Sequence, residues 1–115
     1  MAGPPIVMPL PVRHAEQVGF ERSELMRILD LYGRLVAAGK WKDYAMDFHR
    51  DVATFSAFRR AAERPEFRIE KRPNLRNRQG MWALISEAGA VLKRGDDLAN
   101  VLAPLERKLL KIVKD

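Results

Sequence analysis

The chain contains no cysteine. Disulfides, thiolate zinc sites and cysteine nucleophiles are therefore excluded. The absence suits a reducing compartment, and the protein is expected to be cytoplasmic. Histidine is nearly as scarce, since His14 and His49 are the only two. No apolar run approaches the length that crosses a bilayer, so no membrane partner is expected. The N-terminus has no basic segment before its apolar part, and Pro4, Pro5, Pro9 and Pro11 forbid a helical signal core. No glycine-rich loop can cradle a phosphate, and no serine sits in a nucleophile elbow.

What is present is one domain's worth of chain: 115 residues, 47% hydrophobic and 31% charged. That length buries a core without covalent staples. Residues 1–18 read as a flexible, proline-rich arm, either a ligand for an aromatic groove or an untethered terminus, and composition favours the terminus. Residues 19–115 read as a single domain.

In residues 21–38, Leu25, Ile28, Leu29, Tyr32, Leu35 and Val36 recur at helical spacing. Glu21 or Ser23 can cap this helix, Glu24 suits its first turn, and Gly39 suits its left-handed end. Gly33 inside it implies a close packing contact, since glycine is otherwise costly there. The period then changes to two. Tyr44, Met46 and Phe48 alternate with Asp43, Ala45 and Asp47, and His49-Arg50-Asp51 is a turn. A second strand is expected over roughly 52–61, a turn at Glu63-Arg64-Pro65-Glu66, and a third strand at FRIEKR. After a polar loop, MWALIS and AVLKRG form a hairpin about Glu87-Ala88-Gly89. A last helix follows with Asp96 as cap, and Pro104 predicts a kink, or a start only near Ala103. Short turns make neighbouring strands antiparallel. The expected fold is α+β: a meander of four to five antiparallel strands flanked by an N-terminal and a C-terminal helix, both helices on one face.

The segments LYGRLVAAGKWKDYAMDF, FRRAAERPEFRIEK and AVLKRGDDL, in that order, resemble a family of small bacterial proteins typical of alphaproteobacteria and known only as a domain of unknown function. The likeness covers about residues 20–113. It implies a cytosolic bacterial protein of this length and carries no activity, cofactor or catalytic residue with it.

Function therefore rests on the residues. Asp47, His49 and Asp51 lie two apart, so an extended strand would present all three on one face to a divalent metal or to acid–base chemistry. They fall where a strand gives way to a turn, a place that favours Asp for backbone reasons, and the fourth ligand is missing. His49-Arg50-Asp51 also spells a kinase tripeptide, but the glycine-rich loop, strand lysine and DFG that must accompany it do not occur. Asp96 and Asp97 are accounted for by helix capping. No catalytic, cofactor-binding or metal site is expected, and a metal-dependent enzyme is the remotest reading.

The strongest signal is charge. The chain has 21 Lys and Arg against 15 Asp and Glu, a formal charge of +6. Between Phe58 and Gly80 lie Arg59, Arg60, Arg64, Arg68, Lys71, Arg72, Arg76 and Arg78, opposed by Glu63, Glu66 and Glu70. A hairpin here would carry Arg59, Arg60, Arg64, Arg68 and Arg72 on its arms, with Arg76 and Arg78 in the loop beyond. Guanidinium groups match phosphates and stack on bases, and Phe55, Phe58, Phe67 and Trp82 are interleaved nearby, as in sheet-based single-strand binders. Against this, arginines also make ordinary solvated faces, Arg68 can pair with Glu63, Glu66 or Glu70, and these aromatics are the natural core. The expectation is a small, self-associating, non-enzymatic module, a homodimer, whose basic hairpin, Arg59 to Arg78, contacts an anionic partner, with nucleic acid ahead of an acidic protein. The alternative is a homodimeric interaction or adaptor domain. Phe55 and Phe58 point oppositely, so the helix-free face would keep apolar area for a second copy to bury.

Overall fold

The structure is a computed structural model and describes residues 17–60 and 64–114. The first helix, α1 (Arg22–Ala37), opens with Glu21 at its N-cap, and the Glu24 carboxylate accepts the Glu21 backbone N–H at 2.8 Å. One orphan donor is thereby satisfied, and a negative charge sits at the positive end of the helix. The helix ends as expected. Gly39 has φ +80°, its N–H bonds to Val36 O at 2.9 Å, and the Lys40 N–H reaches Leu35 O at 2.9 Å. This paired closure is the Schellman arrangement, which needs a left-handed residue there. Ile28, Leu31 and Leu35 are buried, whereas Val36 falls outside the stripe. The close contact expected at Gly33 does not exist: a side chain there would meet nothing within 4 Å.

Five strands follow in sequence order: β1 (Asp43–Phe48), β2 (Ala53–Phe58), β3 (Phe67–Lys71), β4 (Trp82–Ser86) and β5 (Val91–Gly95). Each pairs antiparallel with the next, so the sheet order is the chain order. The β4–β5 turn is the expected one, with Gly89 at φ +91° and its N–H on Ser86 O at 2.9 Å. Register fixes the two faces, because directly paired residues share a side. Phe55, Ile69 and Leu84 lie in one row and are buried together with Ile28, Leu31 and Leu35 of α1. The final helix, α2 (Leu98–Lys114), adds Leu98, Val101, Leu102, Leu105 and Leu109 to the same cluster. Both helices therefore cover one face, and the fold is α+β as the sequence predicts.

Two local expectations are corrected. α2 is helical from Leu98 and runs through Pro104, since burial of Leu98, Val101 and Leu102 outweighs the one hydrogen bond that proline removes. Its cap is Asp97, whose Oδ1 accepts the Ala99 N–H at 3.0 Å, and not Asp96. The proline-rich arm lies, except for Gln17 and Val18, outside the described residues, as does part of the turn expected at Glu63–Glu66. Val18 donates its N–H to His49 O at 2.8 Å. Among the described residues, no helix is long and apolar enough to cross a membrane.

Candidate anion-binding pole

The expected hairpin forms from β2 and β3, but its cations do not make one patch. Arg59, Arg60 and Arg64 belong to the β2–β3 connection at one end of the sheet. Arg68 and Arg72 lie on the helix-free side of β3 and its extension; Arg68 pairs in register with Ser56 and Ile85. Arg76 and Arg78 follow in the β3–β4 connection, at the opposite end. A five-residue strand separates the groups, roughly 13 Å at about 3.3 Å per residue.

The interleaved aromatics go to the other face. Trp82 is 2% exposed, stacked on Phe20 at 6.1 Å between ring centres. Phe55 is 1% exposed, and Phe67 packs against Trp41. Of the four aromatics that suggested a stacking platform, only Phe58 stands on the helix-free face, half-buried. Ser56, Ala83 and Ile85 on that face are already buried. Also on that face among the described residues, Phe58 is half-buried and Ala45 and Val91 are exposed.

The end occupied by Arg59, Arg60 and Arg64 gathers cations from elsewhere in the chain. The Lys42 N–H bonds to Phe58 O at 2.9 Å, so the α1–β1 connection with Lys40 and Lys42 lies beside the end of β2. Lys108 of α2 reaches Glu66 at 3.6 Å and sits 5.4 Å over the Phe67 ring. The last turns of α2 thus bring Arg107 and Lys111 to this end as well. The acids here are mostly engaged. Glu66 accepts Trp41 Nε1–H at 2.7 Å as well as meeting Lys108. Glu87 pairs with Arg59 at 3.5 Å, and Glu106 takes both terminal nitrogens of Arg34 at 3.3 Å. That fork to Glu106, reinforced by Asp30, raises the Arg34 pKa above its ordinary value. Lys40, Lys42, Arg60, Arg64, Arg107 and Lys111 make no ion pair among the described residues. Sequence reasoning missed this pole because its members lie up to 71 positions apart, from Lys40 to Lys111. The single usable signal was the run of basic residues in the final helix.

The opposite end sets Asp96 near its arginines, although Arg76 and Arg78 likewise make no ion pair among the described residues. Arg72 meets Glu70 at 3.3 Å. The Asp96 carboxylate accepts the Asn77 N–H at 2.9 Å and the Met81 N–H at 2.7 Å, clasping the loop that carries Arg76 and Arg78. These two backbone donors, then the nearby Arg76 charge, hold the Asp96 pKa below its usual value. Asp47, His49 and Asp51 do not converge. Among the described residues, no three His, Asp or Glu side chains assemble a metal-holding group.

The family described as "Protein of unknown function (DUF2794)" matches residues 18–102. The chain belongs to that family. No curated protein and no solved structure matches it. The DUF2794 region spans α1, the whole sheet and the first turn of α2, and so includes the hairpin arginines. Arg107, Lys108 and Lys111 lie beyond the matched residues.

Proposed function

We propose that this DUF2794 protein is a small non-enzymatic module that contacts an anionic partner through the cationic pole, with nucleic acid as the leading partner. One observation carries the reading: three separate parts of the chain place Lys40, Lys42, Arg60, Arg64, Arg107 and Lys111 at one end of the sheet, where Glu66, Glu87 and Glu106 already hold other partners. Concentrated cations of this kind bind phosphate backbones and release their condensed counterions. Burial of Phe55 and Trp82, and packing of half-buried Phe67, on the helix side put the weight of the reading on phosphate contact and not on base stacking. Arg68 and Arg72, on the helix-free face, extend the contact along β3.

The test is binding of a single-stranded oligonucleotide across a salt series. If four cations reach phosphates, log affinity falls against log salt with a slope of about −2.8, at roughly −0.7 per contact. Absence of salt-sensitive binding to DNA and RNA at tens of micromolar would remove nucleic acid as the partner.

A further inference from the structure

Two aromatic side chains are exposed among the described residues, Tyr44 at 41% and Phe48 at 39%. Only Tyr44 adjoins the cationic pole. It pairs in register with Ala57, two residues before Arg59, and it follows Lys42, whose N–H holds Phe58 O. Phe48 pairs with Ala53, at the far end of β2. The Tyr44 ring stacks on buried Phe55, 5.1 Å between ring centres and 8° from parallel, and Tyr32 meets it edge-on at 5.1 Å. One face of the ring is taken by Phe55, and the opposite face accounts for the exposure. Two neighbours thus fix the ring before any ligand arrives, which lowers the entropy lost on binding. Val36, 39% exposed, lies one turn beyond Tyr32 on α1. At Gly33, next to Tyr32, a side chain would meet nothing within 4 Å. Asp43 adds a carboxylate. Its Oδ1 accepts the Tyr44 N–H at 2.8 Å, and it makes no ion pair among the described residues. Burial first, and then the Asp43 charge, raises the Tyr32 pKa above its ordinary value, so the carboxylate acts on the same pair of rings.

From this geometry we infer that the exposed face of Tyr44 stacks one unpaired base of a single strand, and that Asp43 accepts a hydrogen bond from that base's amino group. The inference rests on the nucleic-acid reading and names its substrate class, a single strand with an amino-bearing base at this position. An exposed, pre-positioned ring beside cations is what a sequence-tolerant stacking contact needs. Lys42 is two residues from Tyr44, about 7 Å along an extended chain, so its ammonium reaches the phosphate next to a base on the ring. The Asp43 charge repels a phosphate from the space directly at Tyr44 and leaves that space to a base edge that carries a donor. Cytosine, adenine and guanine have such an amino group, whereas thymine and uracil do not. A base paired in a duplex presents no open ring face, so the contact selects single strands. Tyr44 was not among the aromatics that the basic hairpin suggested, because it precedes that hairpin in the chain and its alternation reads as an ordinary half-buried strand.

The probes are oligodeoxycytidylate, oligodeoxythymidylate and an abasic strand of the same length, titrated against the full-length chain by fluorescence anisotropy across a salt series. Wild-type protein is expected to bind the cytidine strand more tightly than the abasic one by about fivefold to a hundredfold, the range for one stacked base. It is expected to prefer cytidine over thymidine by about fivefold, the low end for one base contact. Tyr44→Leu should bring the cytidine strand down to the abasic level and leave the salt slope unchanged, because the slope counts phosphates. Tyr44→Phe keeps the ring and should retain the affinity. Asp43→Ala should remove the preference for cytidine. Circular dichroism checks that each variant is folded, and the abasic comparison needs no variant at all. Salt-sensitive binding that is equal for cytidine and abasic strands, or that Tyr44→Leu does not alter, overturns the stacking while the phosphate contact stands. A preference for cytidine that survives Asp43→Ala overturns the part given to Asp43. Absence of salt-sensitive binding to all three strands removes the nucleic-acid reading itself, and this inference with it.

Discussion

Glycine behaves oppositely at two positions. Gly33 is in mid-helix with open space around it. It therefore carries the entropic penalty of glycine with no packing return, and Gly33→Ala should stabilise the fold by up to about 1 kcal/mol. Gly80 has φ +111°, and a side chain there would lie 2.7 Å from the Gly95 Cα. Gly80→Ala should destabilise, because backbone cannot yield as a flexible side chain can. Urea midpoints of both variants, moving in opposite directions, check the pair. Trp82 is the largest fully buried side chain. Trp82→Ala should cost about 3–5 kcal/mol, read by chemical denaturation, with any loss of ligand binding secondary to unfolding.

Among the elements, α1 is tied to the sheet by a buried charge. Lys71 on β3 is 7% exposed; its Nζ lies 2.7 Å from Glu24 Oε1 and 2.9 Å from Gly19 O, and 5.8 Å from the Trp82 ring centre. The same Glu24 oxygen caps α1, so one carboxylate joins helix start and sheet. Glu24→Ala leaves a buried ammonium without its counter-charge and should cost about 3–5 kcal/mol. Lys71→Met with Glu24→Gln removes both charges and should cost clearly less. If the double variant is as unstable as Glu24→Ala, the tie is not electrostatic. The Asp96 clasp on the β3–β4 loop gives a pH signature. Its folded pKa is lowered, so the stabilisation is whole at neutral pH, above the ordinary carboxylate value. It is lost as pH falls below that value and through the lowered one. Exchange protection of the Asn77 and Met81 amides should fall in that acid window. In Asp96→Ala it should already be low at pH 7 and independent of pH.

For the whole molecule, the asymmetry between the two ends is the testable feature. Arg60→Gln with Arg64→Gln removes two pole cations and should reduce the salt slope of oligonucleotide binding by about 1.4, twice the single-contact value. Arg76→Gln with Arg78→Gln, at the end that holds the Asp96 carboxylate, should change it less. Equal losses would mean that the partner spans the length of β3. Edge behaviour also belongs to this scale. β5 is a free edge exposing Val91 and Leu92, but its register shifts at Leu84–Ile85 and Lys93 follows. A bulge and a lysine both discourage edge pairing with a second chain.

The sequence by itself determined the elements and their order. Period-two alternation at Tyr44–Phe48, the turn at Glu87–Gly89 and the stop at Gly39 are local signals, each encoded within a few residues and each realised. It misjudged a helix start near Ala103 and a cap at Asp96, because burial of Leu98 and Val101 extends the helix back to Leu98, and because Asp97, one residue later, is the cap. Only the tertiary structure decided where charge and apolar surface would lie. A meander reverses direction at every turn, so Arg64 and Arg76, near in sequence, are sent to opposite ends, while Lys42, Arg60 and Lys111 are brought to one. The same reversal buries Lys71 beneath α1 and turns Trp82 into core. Charge clustering along a chain sets how much charge there is; strand direction sets where it acts.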